Sequence, residues 1–171
     1  MKLQSPQSSS QLPALRLTMV LFFCALAACA KAPSPAYSSD GRLVELPEGA
    51  EYVDILSLPG EPILQLPHLL IEEVPLPQAV VVLQEDGGSH RQHTAWRLTV
   101  SASQSGFGVG ALPWVIWVAN APLLAVESPD LTKLSAITFD GAMIHPGAEI
   151  SVSYGIDFER RSLVAVIPSE E

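Results

Sequence analysis

The chain has 171 residues, with 18 Asp and Glu against 9 Lys and Arg, a formal net charge of −9. Hydrophobic residues make up 48% and charged residues 16%, which argues against a disordered chain. The acidic balance is the opposite of what a nucleic-acid backbone recruits, and 15 prolines with 11 glycines leave little room for long helices.

Residues 1–16 are polar, carry Lys2 and Arg16, and contain no acidic side chain. Residues 17–28 (LTMVLFFCALAA) form an apolar core bounded by small residues. A basic, polar start followed by a short apolar stretch is the pattern of a helical secretory signal peptide. The stretch is too short to span a bilayer comfortably.

Leu26, Ala27, Ala28 and Cys29 close this leader, and LAAC resembles the lipobox of bacterial lipoproteins. The resemblance covers residues 1–29 and says nothing of the remaining chain. It implies cleavage after Ala28, with Cys29 carrying a diacylglyceryl thioether and an N-acyl chain such as palmitate. Small side chains at 27 and 28 suit a peptidase cleft, and the thiol is the nucleophile that accepts the lipid. Two acyl chains give stable anchoring where one is marginal. Ala30 follows the cysteine, which by the family rule favours the outer membrane if the cell is Gram-negative. Cys24 lies inside the apolar core and leaves with the leader, so the mature chain has no further cysteine for a disulfide or a thiolate site. Loss of Lys2 and Arg16 leaves the mature surface still more acidic, so attachment rests on acyl chains and not on anionic headgroups.

Residues 29–40 read as the lipidated cysteine followed by a flexible, Pro- and Ser-rich tether. From 41 to 171 the chain breaks into short apolar runs separated by turn residues, the rhythm of an all-β domain. Expected strands are 42–46, 51–58, 62–66, 69–74, 79–85, 94–103, 113–119, 122–127, 134–139, 149–154 and 162–167. The alternation is plainest at 94–103, with Trp96, Leu98, Val100 and Ala102 on one face, and at 149–154, with Ile150, Val152 and Tyr154. Asp140-Gly141 signals a two-residue hairpin, Pro59-Gly60 and Pro146-Gly147 further turns, and Glu85–Gly88 the start of a longer polar loop. Residues 128–133 fit one helical turn, with Ser128 as N-cap, Pro129 at the first helical position and Asp130 at the positive dipole end. Together these predict a single antiparallel β-sandwich of seven to nine strands, immunoglobulin-like in strand count, with one short helical turn. No internal repeat is present.

Segments 79–83, 113–119 and 163–167 are apolar on both faces, whereas a sandwich strand normally shows one polar face. Loops or sheet edges folding over the second face explain this, and an exposed patch for a partner is the functional alternative. Trp114, Ile116 and Trp117 are the patch candidates, tryptophan being a frequent interface anchor. His90 and His93 sit in the glycine-rich loop near Asp86, and with His68 or His145 they form a weak metal candidate. No serine elbow, zincin helix, phosphate loop or dinucleotide fingerprint occurs, and Gly106–Gly110 lacks the strand-to-helix context for phosphate. Glu72 and Glu73 are adjacent in a strand and so face opposite sides, while Asp157, Glu159, Arg160 and Arg161 read as a solvated charged turn.

No catalytic residue and no cofactor is assigned. The expected role is a lipid-anchored cell-envelope protein working as a non-catalytic binding or assembly module, with an envelope protein as partner. A carrier of a hydrophobic ligand or lipid is the alternative, and an exported hydrolase or metal-binding protein ranks below both.

Overall fold

A computed structural model describes residues 33–101 and 112–169. They belong to one compact unit that starts at Pro33. Ten strands are linked through one continuous set of ladders. In chain order they are β1 (Ala36–Ser38), β2 (Leu43–Glu45), β3 (Glu61–Leu66), β4 (Leu69–Leu83), β5 (Ser89–Ser101), β6 (Trp114–Val118), β7 (Ala121–Glu127), β8 (Lys133–Thr138), β9 (Glu149–Tyr154) and β10 (Ser162–Val166). Their order across the sheet is β10-β9-β6-β7-β8-β5-β4-β1-β2, with β3 beside the first half of β4. All pairs are antiparallel except β1 with β4. The all-β expectation therefore holds, with the strands joined in one open sheet.

One face of this sheet is buried almost from end to end. Leu69 and Ile71 of β4, Leu98 and Val100 of β5, Leu134 and Ala136 of β8, and Leu123 of β7 share a cluster with Ile116, Val118, Ile150 and Val152. The alternation read at 94–103 and 149–154 supplies these residues, because side chains two apart on a strand share a face. Leu64 and Leu66 of β3 and Val164 and Ala165 of β10 pack against the same cluster.

The central strands are covered on the other face too. Val74, Leu76, Val80 and Val82 of β4, Ala95 of β5, and Ile137 and Phe139 at the end of β8 form a second cluster with Tyr37, Val53 and Ile55. Its cover is β1 together with residues 51–58, which the sequence suggested as a strand. They form an irregular run ending in a 3-10 turn, Ile55–Ser57. Arg97 fastens that cover. Its Nε donates to Glu72 Oε2 at 2.8 Å, and its Nη1 donates to the Leu56 and Leu58 carbonyls, each at 2.8 Å. Both ionic side chains are nearly enclosed, at 12% and 13% exposure. Glu73, next in the strand, is exposed, as expected of adjacent residues on opposite faces.

Several local expectations change. The segments 69–74 and 79–85 are one strand, β4, interrupted by a register shift between Pro75 and Val80. Ala36–Ser38, placed in the tether by composition, form β1, with Ala36 and Tyr37 buried. Residues 89–93 belong to β5, which shrinks the polar loop to 84–88. Asp140-Gly141 makes no hairpin. Asp140 caps a 3-10 turn at Gly141–Met143 through Ala142 N, and Gly141 lies against Trp96 so closely that a Cβ would fall 2.5 Å from the ring.

The helical turn expected at 128–133 is also absent, because Leu131 adopts φ 55°, a left-handed conformation that ends any right-handed turn. The Ser128 hydroxyl and the Thr132 N–H instead donate to Asp130 Oδ1, at 2.5 and 3.2 Å, and Lys133 opens β8. These bonds, the Ser128 hydroxyl foremost, lower the Asp130 carboxyl from 3.8 to about 2. A lowered carboxyl pKa gives stability that is complete above the unfolded value and lost as pH falls toward 2. In an NMR titration Asp130 should titrate near pH 2 and move up toward 3.8 in Ser128→Ala; an ordinary value in the parent chain would overturn the turn's geometry.

Removing one partner of an enclosed ion pair strands the other, so Arg97→Ala should cost about 3 kcal/mol in urea denaturation. Arg97→Met with Glu72→Leu should recover the part due to the stranded carboxylate but not the part due to the Leu56 and Leu58 carbonyls, which lose their donor. Full recovery in the double variant would show that Arg97 does not hold the cover.

Candidate binding cleft at the β7–β8 seam

β7 and β8 share only three register pairs, Ala125 with Ala136, Val126 with Ser135 and Glu127 with Leu134. Beyond Ala125 the strands part, and the sequence of β7 gives the reason. The two-residue turn Ala119-Asn120 makes Val118 and Ala121 its closing pair, so the backbone groups of residues 122 and 124 face β8. Residue 122 is proline and has no N–H to give to that ladder. The free edge of β8 is met by the β1–β2 turn instead. Phe139 N donates to Ser39 O at 2.8 Å, and Thr138 Oγ1 donates to the same carbonyl at 3.3 Å.

That turn is shaped for close approach. Gly41 has φ 81°, and a Cβ there would lie 2.7 Å from Ile137 Cβ. Asp40 accepts the Ser38 hydroxyl and pairs with Arg42 Nε at 2.8 Å. The turn divides the seam into two hollows. One, of about 340 Å³, is bounded by Tyr37, Tyr52, Leu56, Pro113, Leu124, Val126 and Ile137. The other, of about 430 Å³, lies toward Leu83, Gln84, Ala121, Pro122, Leu123, Thr138 and Met143. Asp40 and Arg42 belong to both. Apolar walls with a few convergent polar groups are the usual make-up of a small-molecule site.

Tyr37 is the fixed point of the first hollow. Its ring sits 5.7 Å from that of Phe139, and its hydroxyl donates to Val53 O at 2.9 Å while accepting from Val53 N at 3.3 Å. Composition masked this residue as part of a tether. The apolar pair of Ala36 and Tyr37 within an otherwise polar run was the available signal.

The residues singled out by sequence lie elsewhere. Cys29, with Leu26, Ala27 and Ala28, and the glycine-rich run 106–110 fall outside the described residues. Ile116 and Trp117 are fully buried, so at these two positions the stretch is covered and the alternative, an exposed patch at Trp114, Ile116 and Trp117, is not formed. Ile116 joins the main core. Trp117 points the other way and is covered by Phe158, at 4.7 Å between rings, and by the Arg161 guanidinium, 4.6 Å above its centroid. Its indole N–H donates to Ser153 Oγ at 2.7 Å. Trp114 is half-buried, its ring 5.0 Å from Tyr154.

His90 and His93 are exposed on β5 and three residues apart, an odd spacing that sends their side chains to opposite faces. His90 Nε2 lies 3.0 Å from Gln92 Oε1. His68 sits in the tight β3–β4 turn, and His145 Nδ1 contacts Pro146 O at 2.9 Å. Among the described residues no three His, Cys, Asp or Glu side chains are grouped to hold a metal.

No family model, no curated protein and no solved structure matches this chain.

The Tyr37 hydroxyl is raised above its ordinary value of 10.0, chiefly by burial, against which the hydrogen bond from the Val53 backbone N–H works. The sign follows from linkage: the phenol's share of stability is complete below pH 10 and is lost as pH rises through the folded value. In an alkaline absorbance titration one of the three tyrosines should ionise only with unfolding, and Tyr37→Phe should abolish that late step. Three tyrosines titrating together in the folded chain would contradict this burial.

Proposed function

We propose that the chain is an exported lipoprotein, anchored by acyl chains on Cys29, whose β domain acts as a non-catalytic binding or assembly module of the cell envelope. The observation that carries the reading is the Leu26-Ala27-Ala28-Cys29 run that closes the apolar core of a signal peptide. The outer membrane is the proposed site in a Gram-negative cell, with an envelope protein as partner. We also read the single sheet as curling into a two-layer, sandwich-like closure. Residues of β4, β5 and β8 sharing one cluster with those of β6 and β9 support it.

A carrier of a small hydrophobic ligand is the second reading, favoured by the apolar walls of the seam. Expression in a bacterial host with radiolabelled palmitate tests the anchor. Label should enter the full-length chain, and Cys29→Ser should abolish it and move the protein from the membrane to the soluble fraction. Incorporation unaffected by Cys29→Ser would remove the lipoprotein reading. Extraction of copurifying lipid from the anchored protein separates the two modules, since a carrier retains a stoichiometric lipid beyond its own acyl chains.

A further inference from the structure

We infer that the domain rests on the lipid surface through β2 and the run that follows it, an inference that rests on the lipoprotein reading above. Residues 30–35 are all that separate Cys29 from β1, a reach of about 20–25 Å at full extension. The anchored cysteine therefore holds β1, and β2 paired with it, close to the bilayer. β2 is an edge strand, and all three of its residues are exposed.

The chemistry of this edge matches a lipid surface. Leu43, Val44, Leu46 and Tyr52 are exposed at 42%, 56%, 45% and 58%. They account for four of the twelve large exposed apolar side chains among the described residues, gathered within one ten-residue stretch beside the anchor. A tyrosine with aliphatic neighbours suits the headgroup boundary, where an apolar ring and a polar tip are both solvated. Glu45, Glu48 and Glu51 interleave with them, so the matching surface is zwitterionic.

β4 serves as a ruler. β1 pairs with it at Val81–Leu83, whereas Ile63 of β3 lies between the partners of Glu72 and Ile71, about 30 Å along the strand. Ile63 is 49% exposed. Exposure alone would give Ile63 the same standing as Val44; nearness to Cys29 separates them.

The test places a thiol-linked fluorophore at Val44→Cys or Ile63→Cys. The mature anchored protein is reconstituted into phosphatidylcholine vesicles that contain nitroxide-labelled phospholipid. Both positions are exposed, and thermal unfolding checks that each variant keeps its fold; Leu46→Cys replaces Val44→Cys if that variant does not. Quenching should be at least threefold greater at 44 than at 63. Equal quenching, or greater quenching at 63, would overturn the orientation while leaving the anchor intact. Failure of the parent protein to float with the vesicles would instead overturn the lipoprotein reading, and the orientation with it.

Discussion

Arg97 faces the side of the sheet where β4, β5 and β8 would otherwise present an apolar surface to water. Its guanidinium meets one carboxylate, on Glu72, and two carbonyls that the short 3-10 turn leaves without helical partners. Few side chains can do this, because the planar fork offers several donors in fixed directions and stays charged when enclosed. The consequence reaches beyond the pair. Residues 51–58 have no ladder of their own, so their position over Val74, Val80 and Ile137 depends on Arg97 on one side and on the Tyr37 hydroxyl at Val53 on the other. An enclosed ion pair adds little net stability, but it fixes where this irregular cover sits.

The sheet has ends, and each is managed locally. β10 pairs only with β9 and carries a register shift between Leu163 and Ala165. Beyond it Ile167 turns both backbone groups inward, donating to Ala148 O and accepting from Gly147 N. Pro168 follows, without a donor for any added strand. β3 contains Pro62 and its own register shift against β4, and β2 is three residues long. Bulges, prolines and short strands are the common means of discouraging edge-to-edge association.

Strand existence was legible because a period of two survives wherever one face is buried; that pattern placed β9 at its observed ends and β5 from residue 94 onward. What failed has a common physical cause. β1 and the run 51–58 earn their structure from contacts with distant residues, Val81–Leu83 for the one and Arg97 for the other, and no local period records such contacts. The helical turn at 128–133 had the right caps, yet a left-handed Leu131 and an Asp130 bonded to Ser128 satisfied the same polar groups without a helix. For the tryptophans of β6, a strand apolar on both faces, cover by loops or sheet edges and an exposed patch stood as alternatives. Both faces are in fact buried along most of that strand, Trp117 beneath Phe158 and Arg161. The seam was illegible for a different reason: it arises where two strands stop pairing.

Pro122 connects these points. A hairpin whose turn is Ala119-Asn120 commits alternate residues of β7 to β6 and leaves residues 122 and 124 for β8. With a proline at the first of these the ladder cannot continue, and the end of β8 is left with an unpaired edge inside the fold. A buried backbone group must find a partner, and the chain supplies one from Ser39, in the turn that joins β1 to β2. The same turn requires a residue without Cβ at 41 and brings the Asp40–Arg42 pair into both hollows. Residues 36–42 thus close the seam and at the same time form the part of the domain nearest Cys29 in sequence. The wall shared by the two hollows and the first strand after the N-terminal segment are one structural element, so a group bound in the seam touches the element that follows Cys29 in sequence.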